Sequence, residues 1–260
     1  MDFAWLSART RRATRGLVTV LAALTATGPA LASNGQARVA VAANFTEPAR
    51  ELGRLFEAAT GNTVVLSFGA TGQFFAQISQ GAPFEVLLAA DQATPQKAVA
   101  AGLAVDGTRF TYAIGKLVLY SRTKGLVDGE GTLKAGKFAK LAIANPATAP
   151  YGAAAMEVLR SLGLIDALTA KIVQGNSIGQ AFQFVETGNA ELGFVALAQV
   201  ALVEGGSRWV VPDRLHAPIA QDAVLLKAGA DNAAAKAFLL FLKGAEAGKV
   251  IAKFGYAVGE

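Results

Sequence analysis

From about residue 37 the chain repeats one unit. A short apolar run gives way to a turn of small and polar residues, and a segment with helical spacing follows at once. "ARVAVAA" passes through "NFT" into "EPARELGRLFEAATG", "NTVVLSF" through "GATG" into "QFFAQISQG", and "FEVLLAAD" into "QATPQKAVAAG". The runs have the length of strands, and the segments after them carry the 3.6-residue period. In the first helix Leu52, Leu55, Phe56 and Ala59 are assigned to one inner face, with Gly61 as its C-cap. "FEVLLAAD" is apolar through its middle, as expected for a strand covered on both faces. Such alternation predicts a parallel α/β sheet.

The second half repeats this grammar with "KLAIANP", "APYGAAAMEVLRSLG", "AKIVQGN", "SIGQAFQFVETG" and "AELGFVAL". Met156, Leu159 and Leu162 mark the inner face of one helix, and Ala181, Phe182 and Val185 that of the next. Two long strands, near 113–120 and 217–227, link the halves. The expectation is therefore two lobes around a cleft, each a mostly parallel sheet flanked by helices. Lobe I is assigned to 33–115 plus 219–260 and lobe II to 116–218.

The first 32 residues read differently. Arg9, Arg11, Arg12 and Arg15 precede the apolar stretch "GLVTVLAALTATGPA", and "ALA" at 30–32 has the form of a cleavage box, so 1–32 is expected to be a signal peptide. Arg11-Arg12 hints at twin-arginine export, but the flanking residues fit the general route better. Removing 1–32 takes four Arg and one Asp from a formal net charge of +5 and leaves +2. No basic stripe remains for nucleic acid. There are no Cys and a single His, His216. That excludes a disulfide framework and leaves no basis for a His-based metal cluster or a catalytic triad.

Four turns lead into helices: "AANFT", "FGATGQ", "NPATAPYGA" and "QGNSIGQ". In open parallel sheets ligands bind at such turns, beyond the carboxyl ends of the strands. Each helix start offers free N–H groups and a positive dipole end, which together suit an anion. The side chains on offer are Asn44, Thr46, Thr71, Tyr151 and Ser177, all neutral and all able to donate. No Lys or Arg stands in these turns, so selection would rest on fixed donors and on size. Each residue also has a plainer reading. Thr71 and Ser177 fit as N-caps, Asn44 as a turn residue, Tyr151 as a surface aromatic. Asp91 fits as an N-cap or an acceptor between lobes, and His216 as a loop residue beside Pro218. No turn holds paired carboxylates, so an enzyme is not expected.

The ordered segments "VAVAANF", "LSFGATGQFFAQISQGAPFEVLLAAD", "LAIANPATAPYGAAAMEVL", "AELGFVAL" and "FLLFLKGAEAGKVIAKFGY" resemble the periplasmic molybdate-binding proteins of ABC importers, from about Arg38 to Tyr256. The resemblance implies the two-lobed class II periplasmic binding protein fold. It implies a periplasmic receptor for molybdate or tungstate that delivers its ligand to a membrane permease, without a cofactor and usually as a monomer. Carried over position by position, the oxyanion donors fall on Asn44 with the Ala43 backbone, on Thr71 by hydroxyl and N–H, and on the N–H groups of Tyr151 and Ile178. One branch of the family uses a Tyr in the strand matching "GFVAL". Ala196 stands there in this chain, and Asn44 replaces the Ser common in that branch. A receptor for sulfate or phosphate is the alternative within the same class.

Overall fold

The computed structural model describes residues 35–257. The signal segment expected at 1–32 lies outside the described residues. Ten strands run through those residues: β1 (Gln36–Ala42), β2 (Thr63–Gly69), β3 (Val86–Leu88), β4 (Phe110–Gly115), β5 (Leu117–Ser121), β6 (Leu141–Ala144), β7 (Ile172–Gly175), β8 (Leu192–Ala196), β9 (Ser207–Val210) and β10 (Ile219–Leu225). Between them lie α1 (Thr46–Thr60), α2 (Thr71–Ser79), α3 (Ala93–Ala100), α4 (Glu130–Ala135), α5 (Pro150–Ser161), α6 (Ile165–Leu168), α7 (Ile178–Glu186) and α8 (Leu197–Val200). The closing helices are α9 (Ala233–Leu242) and α10 (Ala245–Lys253).

The strands form two five-stranded sheets of one design. The first has the order β2-β1-β3-β10-β4, the second β7-β6-β8-β5-β9. In each, one strand (β10 or β5) runs against both its neighbours while the others share a direction. β3 has no exposed residue, in keeping with its unbroken apolar sequence. The first sheet thus takes strands from 36–115 and 219–225, and the second from 117–210.

The two links differ in kind. "YAIGKLVLYS" is not one strand: β4 ends at Gly115, β5 begins at Leu117, and Lys116 carries the chain from one sheet to the other. Gly115 is required there, because a Cβ would lie 2.0 Å from the Tyr151 hydroxyl oxygen. The second link is the segment 211–218. β10 after it lies wholly in the first sheet and shifts register between Gln221 and Asp222.

Packing follows the periodicity with one correction. In α1 the buried stripe is Pro48, Ala49, Leu52, Gly53 and Phe56. Leu55 is 38% exposed and Ala59 is also exposed. The stripe follows the 49-52-53-56 row onto β1, β2, α9 and α10, and positions 55 and 59 fall outside it. Phe56 meets Phe238 edge-on, with ring centroids 5.2 Å apart. Burying a side chain of this size is worth about 1.5–3 kcal/mol.

Candidate functional site

The carboxyl ends of β1, β2, β6 and β7 each hand over to a helix, and these four junctions meet. The short helical turn Ala43–Phe45, the start of α2, the start of α5 and the start of α7 line one small cavity. All five residues assigned from the sequence lie on its wall: Ala43, Asn44, Thr71, Tyr151 and Ile178. The rest of the wall is Gly, Ala and Pro, and none of it is charged. Ala43, Asn44 and Thr71 come from the chain that builds the first sheet, Tyr151 and Ile178 from the chain that builds the second.

The donors are available. The N–H groups of Thr71, Tyr151 and Ile178 stand at the first or second positions of their helices, and none has an acceptor among the described residues. Thr71 is not an N-cap. Ala70 holds that position, and the Thr71 Oγ1 instead accepts the Ala90 N–H at 3.0 Å. Its hydroxyl hydrogen is left to point elsewhere. Thr71 is 1% exposed, so that donor faces no bulk water. Three helix N-termini and one buried hydroxyl thus surround a small space with positive partial charge.

Asn44 is placed differently from its expected role. Its Nδ2 donates to Gln221 Oε1 at 2.8 Å and to the Tyr256 hydroxyl at 2.9 Å. Its Oδ1 is buried without a partner among the described residues. The side-chain donors expected to face the ligand are therefore taken by a buried network. Gln221 Nε2 donates to the Tyr151 hydroxyl at 3.3 Å, and the Tyr112 hydroxyl donates to the Ala89 carbonyl at 3.0 Å and lies 3.1 Å from Gln221 Oε1. Tyr256 returns a bond to the Asn44 carbonyl at 2.9 Å. Burial pushes the Tyr112, Tyr151 and Tyr256 hydroxyls well above the ordinary tyrosine range, so all three stay protonated. Tyr151 is not a surface aromatic: it is 1% exposed, and its hydroxyl is held away while its N–H faces the cavity wall.

The other candidate residues stand outside the cavity. Ser177 caps α7, accepting the Gln180 N–H at 3.3 Å, and Thr46 donates to the Ala43 carbonyl at 2.8 Å. Asp91 is not the N-cap of α3: Gln92 holds that position, and the Asp91 carboxylate, one residue before it, accepts the Thr94 N–H at 2.6 Å and the Thr94 hydroxyl at 3.1 Å. Burial raises its pKa, and the Thr94 bonds oppose that rise. His216 is buried in the second link with Nδ1 beside the Ala217 carbonyl at 2.7 Å. Ala196 ends β8, fully buried and off the cavity wall. A larger cleft of about 620 Å³ opens beside the small cavity, past Glu47, Arg50, Phe182 and Gln183. It shares Ala43 and Asn44 with the small cavity, is also lined by Thr46 and Ser177, and carries the exposed Arg50–Glu47 pair.

Sequence reasoning missed Gln221, Tyr112 and Tyr256. A signal was present for the first: "IAQDAVLL" carries two adjacent polar residues in an otherwise apolar strand, and both Gln221 and Asp222 are fully buried. Asp222 is satisfied by Arg109, by Thr111 at 2.7 Å and by Gln92 at 3.2 Å.

Two like sheets that present helix starts to a shared small cavity define a solute-binding receptor of the two-lobed periplasmic type. The bacterial extracellular solute-binding protein family matches residues 37–257. The chain is 56% identical over 225 residues to the molybdate-binding protein ModA of Rhodobacter capsulatus, covering 86% of this chain and 89% of that one. It is 55% identical over 231 residues to ModA of Azotobacter vinelandii, with 87% and 92% covered. The structure of an Azotobacter vinelandii periplasmic molybdate-binding protein superposes with a TM-score of 0.84 at 43% identity, over 86% of this chain and all of that one. The chain belongs to the family of bacterial extracellular solute-binding proteins, in the group that holds these ModA proteins.

Proposed function

We propose that this chain is an extracytoplasmic receptor that captures molybdate or tungstate in the cavity between its sheets and hands it to the membrane permease of an ABC importer. The observation that carries this reading is the set of unpartnered N–H groups of Thr71, Tyr151 and Ile178, with the Thr71 hydroxyl, around one small uncharged cavity. Fixed neutral donors stabilise a dianion by hydrogen bonds and dipoles without bringing a counter-charge, and they cannot follow a guest of the wrong size. The ModA relatives supply the choice of anion. The donors come from both halves of the chain, so an anion held by all of them favours the closed arrangement over any open one. The cavity wall has no carboxylate, His, Cys or Lys, so no step of bond making is assigned to it. Among the described residues no helix is long and apolar enough to cross a membrane. Export by a cleaved 1–32 segment and action as a monomer belong to the same reading.

Thermal unfolding with molybdate, tungstate, sulfate and phosphate added separately tests it. Anion at one hundred times its Kd adds about 2.7 kcal/mol, which for a chain of this size is a rise of roughly 5–10 °C in Tm. The expected result is a rise with molybdate and tungstate alone. A rise with sulfate or phosphate instead would move the receptor to that anion, and no rise with any of the four would sink the oxyanion reading.

A further inference from the structure

Gly72 is off the cavity wall, yet it touches the other half of the chain directly. It is the second residue of α2, and its N–H donates at 2.9 Å to the carbonyl of Thr148, in the turn before α5. A Cβ on Gly72 would lie 3.1 Å from Thr148 Cα, 3.2 Å from its carbonyl oxygen and 3.3 Å from its Cβ. Two of these three atoms are backbone, so no rotamer change relieves the contact. The turn itself is held: Thr148 and Ala149 donate their N–H groups to the Asn145 carbonyl at 3.2 and 2.8 Å, and Ala147 donates to the Asn145 side chain at 2.9 Å. The Thr148 hydroxyl is buried at the same seam without a partner among the described residues. Gly72 sits in helical backbone and does not have the positive φ that would call for glycine. Helix propensity alone favours Ala at this position. The space opposite Thr148 favours Gly.

We infer that Gly72 is a closure-setting residue: its missing side chain and its N–H form a latch with Thr148 that fixes how tightly the halves shut, and so how long a captured oxyanion stays. This rests on the oxyanion reading above. The latch lies between donors on the two sides, because Thr71 precedes Gly72 and Tyr151 is three residues beyond Thr148. A methyl group wedged at this point separates those donors without touching the anion. The effect belongs to the closed state, so it appears in dissociation more than in association.

The test compares the full chain with its Gly72→Ala variant. Molybdate Kd is measured by calorimetry, dissociation by stopped flow, and Tm without anion. Gln77→Ala, on the exposed side of α2, controls for the gain in helix propensity. The expected result is an unliganded Tm equal to or above the parent, with molybdate affinity lower by about tenfold or more, carried by faster dissociation. Opposite signs for stability and affinity are not produced by a merely structural role. Parental Kd and dissociation rate in Gly72→Ala would overturn the latch, and so would an unliganded Tm several degrees lower. If the parent chain itself binds none of the four anions, the oxyanion reading falls and this inference with it. A parent that binds and a variant that binds equally well removes the latch alone.

Discussion

The Asn44 carboxamide must place two donors and one acceptor where only 2% of the residue is exposed. Both donor contacts are made within the network and the acceptor is orphaned, at a cost of about 1–3 kcal/mol for a buried unsatisfied group. Asn44, Gln221 and the three tyrosines can each donate and accept. A half-turn of the Asn44 and Gln221 amides keeps their mutual bond but leaves the Tyr256 hydroxyl, which has one hydrogen, between two acceptors, the Asn44 carbonyl and Oδ1. It turns Nδ2 to where Oδ1 now stands. Asn44→Asp removes that option, since a carboxylate only accepts and repels a dianion. Molybdate affinity in Asn44→Asp is expected to fall by about a hundredfold or more, read by calorimetry. A parental Kd would show that only the backbone at this turn matters. The raised pKa values of the tyrosines mean that they do not titrate at working pH. Parental affinity should show no inflection from them between about pH 6 and 9. Gly115→Ala is the severest change in this region, because the added methyl overlaps the Tyr151 hydroxyl and lies 2.7 Å from Gln221 Nε2. Overpacking of this kind costs about 1–3 kcal/mol or more. Chemical denaturation should show the loss, together with weakened anion binding.

At the scale of elements, the strand–helix grammar was legible because each turn carries its own chemistry. Small residues after an apolar run and a helical period beyond them placed α2, α5 and α7 and the N–H groups at their starts. Ser177 is the one side-chain cap among those three helices, so Ser177→Ala should cost about 1 kcal/mol, read as a lower Tm. What the sequence did not disclose depends on contacts distant along the chain. The break at Lys116 is hidden because "YAIGKLVLYS" reads as one run until Tyr151 fills the space beside Gly115. The role of Gln221 is hidden because its partners lie 70 to 177 residues away. Glu191 is a further long-range tie, before β8, where its carboxylate accepts the N–H groups of Ala139 at 3.0 Å and Lys140 at 2.9 Å. Burial alone would raise its pKa, but the N–H groups of Ala139, Glu191 itself and Lys140 outweigh that and hold it below the ordinary carboxylate value. A lowered pKa stabilises the fold above the unfolded-state value and is lost as pH falls through the folded one. Glu191→Gln should therefore flatten the decline of Tm below about pH 4.5, while an unchanged acid slope would remove this tie from the account.

For the whole molecule the question is whether two lobes unfold as one. Two features tie them. The chain passes between the sheets twice, at Lys116 and through 211–218, and Lys116 Nζ pairs with Asp213 at 2.6 Å across the two links. That pair is largely exposed, so by itself it contributes about 0–1 kcal/mol. The stronger tie is packing. Ala198 of α8, which follows a strand of the second sheet, is buried in the first lobe's core, and Ala43, Ala70 and Ala90 of the first lobe are buried in the second's. Neither core is complete without residues from the other half, so one lobe cannot open without exposing apolar surface of its neighbour. Of the two tryptophans, Trp209 packs against the second core and Trp5 lies outside the described residues. A Trp5→Phe chain therefore reports one lobe by fluorescence, while far-UV circular dichroism reports both. The two signals are expected to share one midpoint without anion and to move up together with molybdate, as a single cooperative unit requires. A Trp209 transition several degrees away from the dichroism midpoint would mean that the shared alanines are too small a seam to couple the lobes. Stabilisation by the anion would then reside in bridging two independent units, and the dependence of Tm on molybdate would be steeper in the weaker of them.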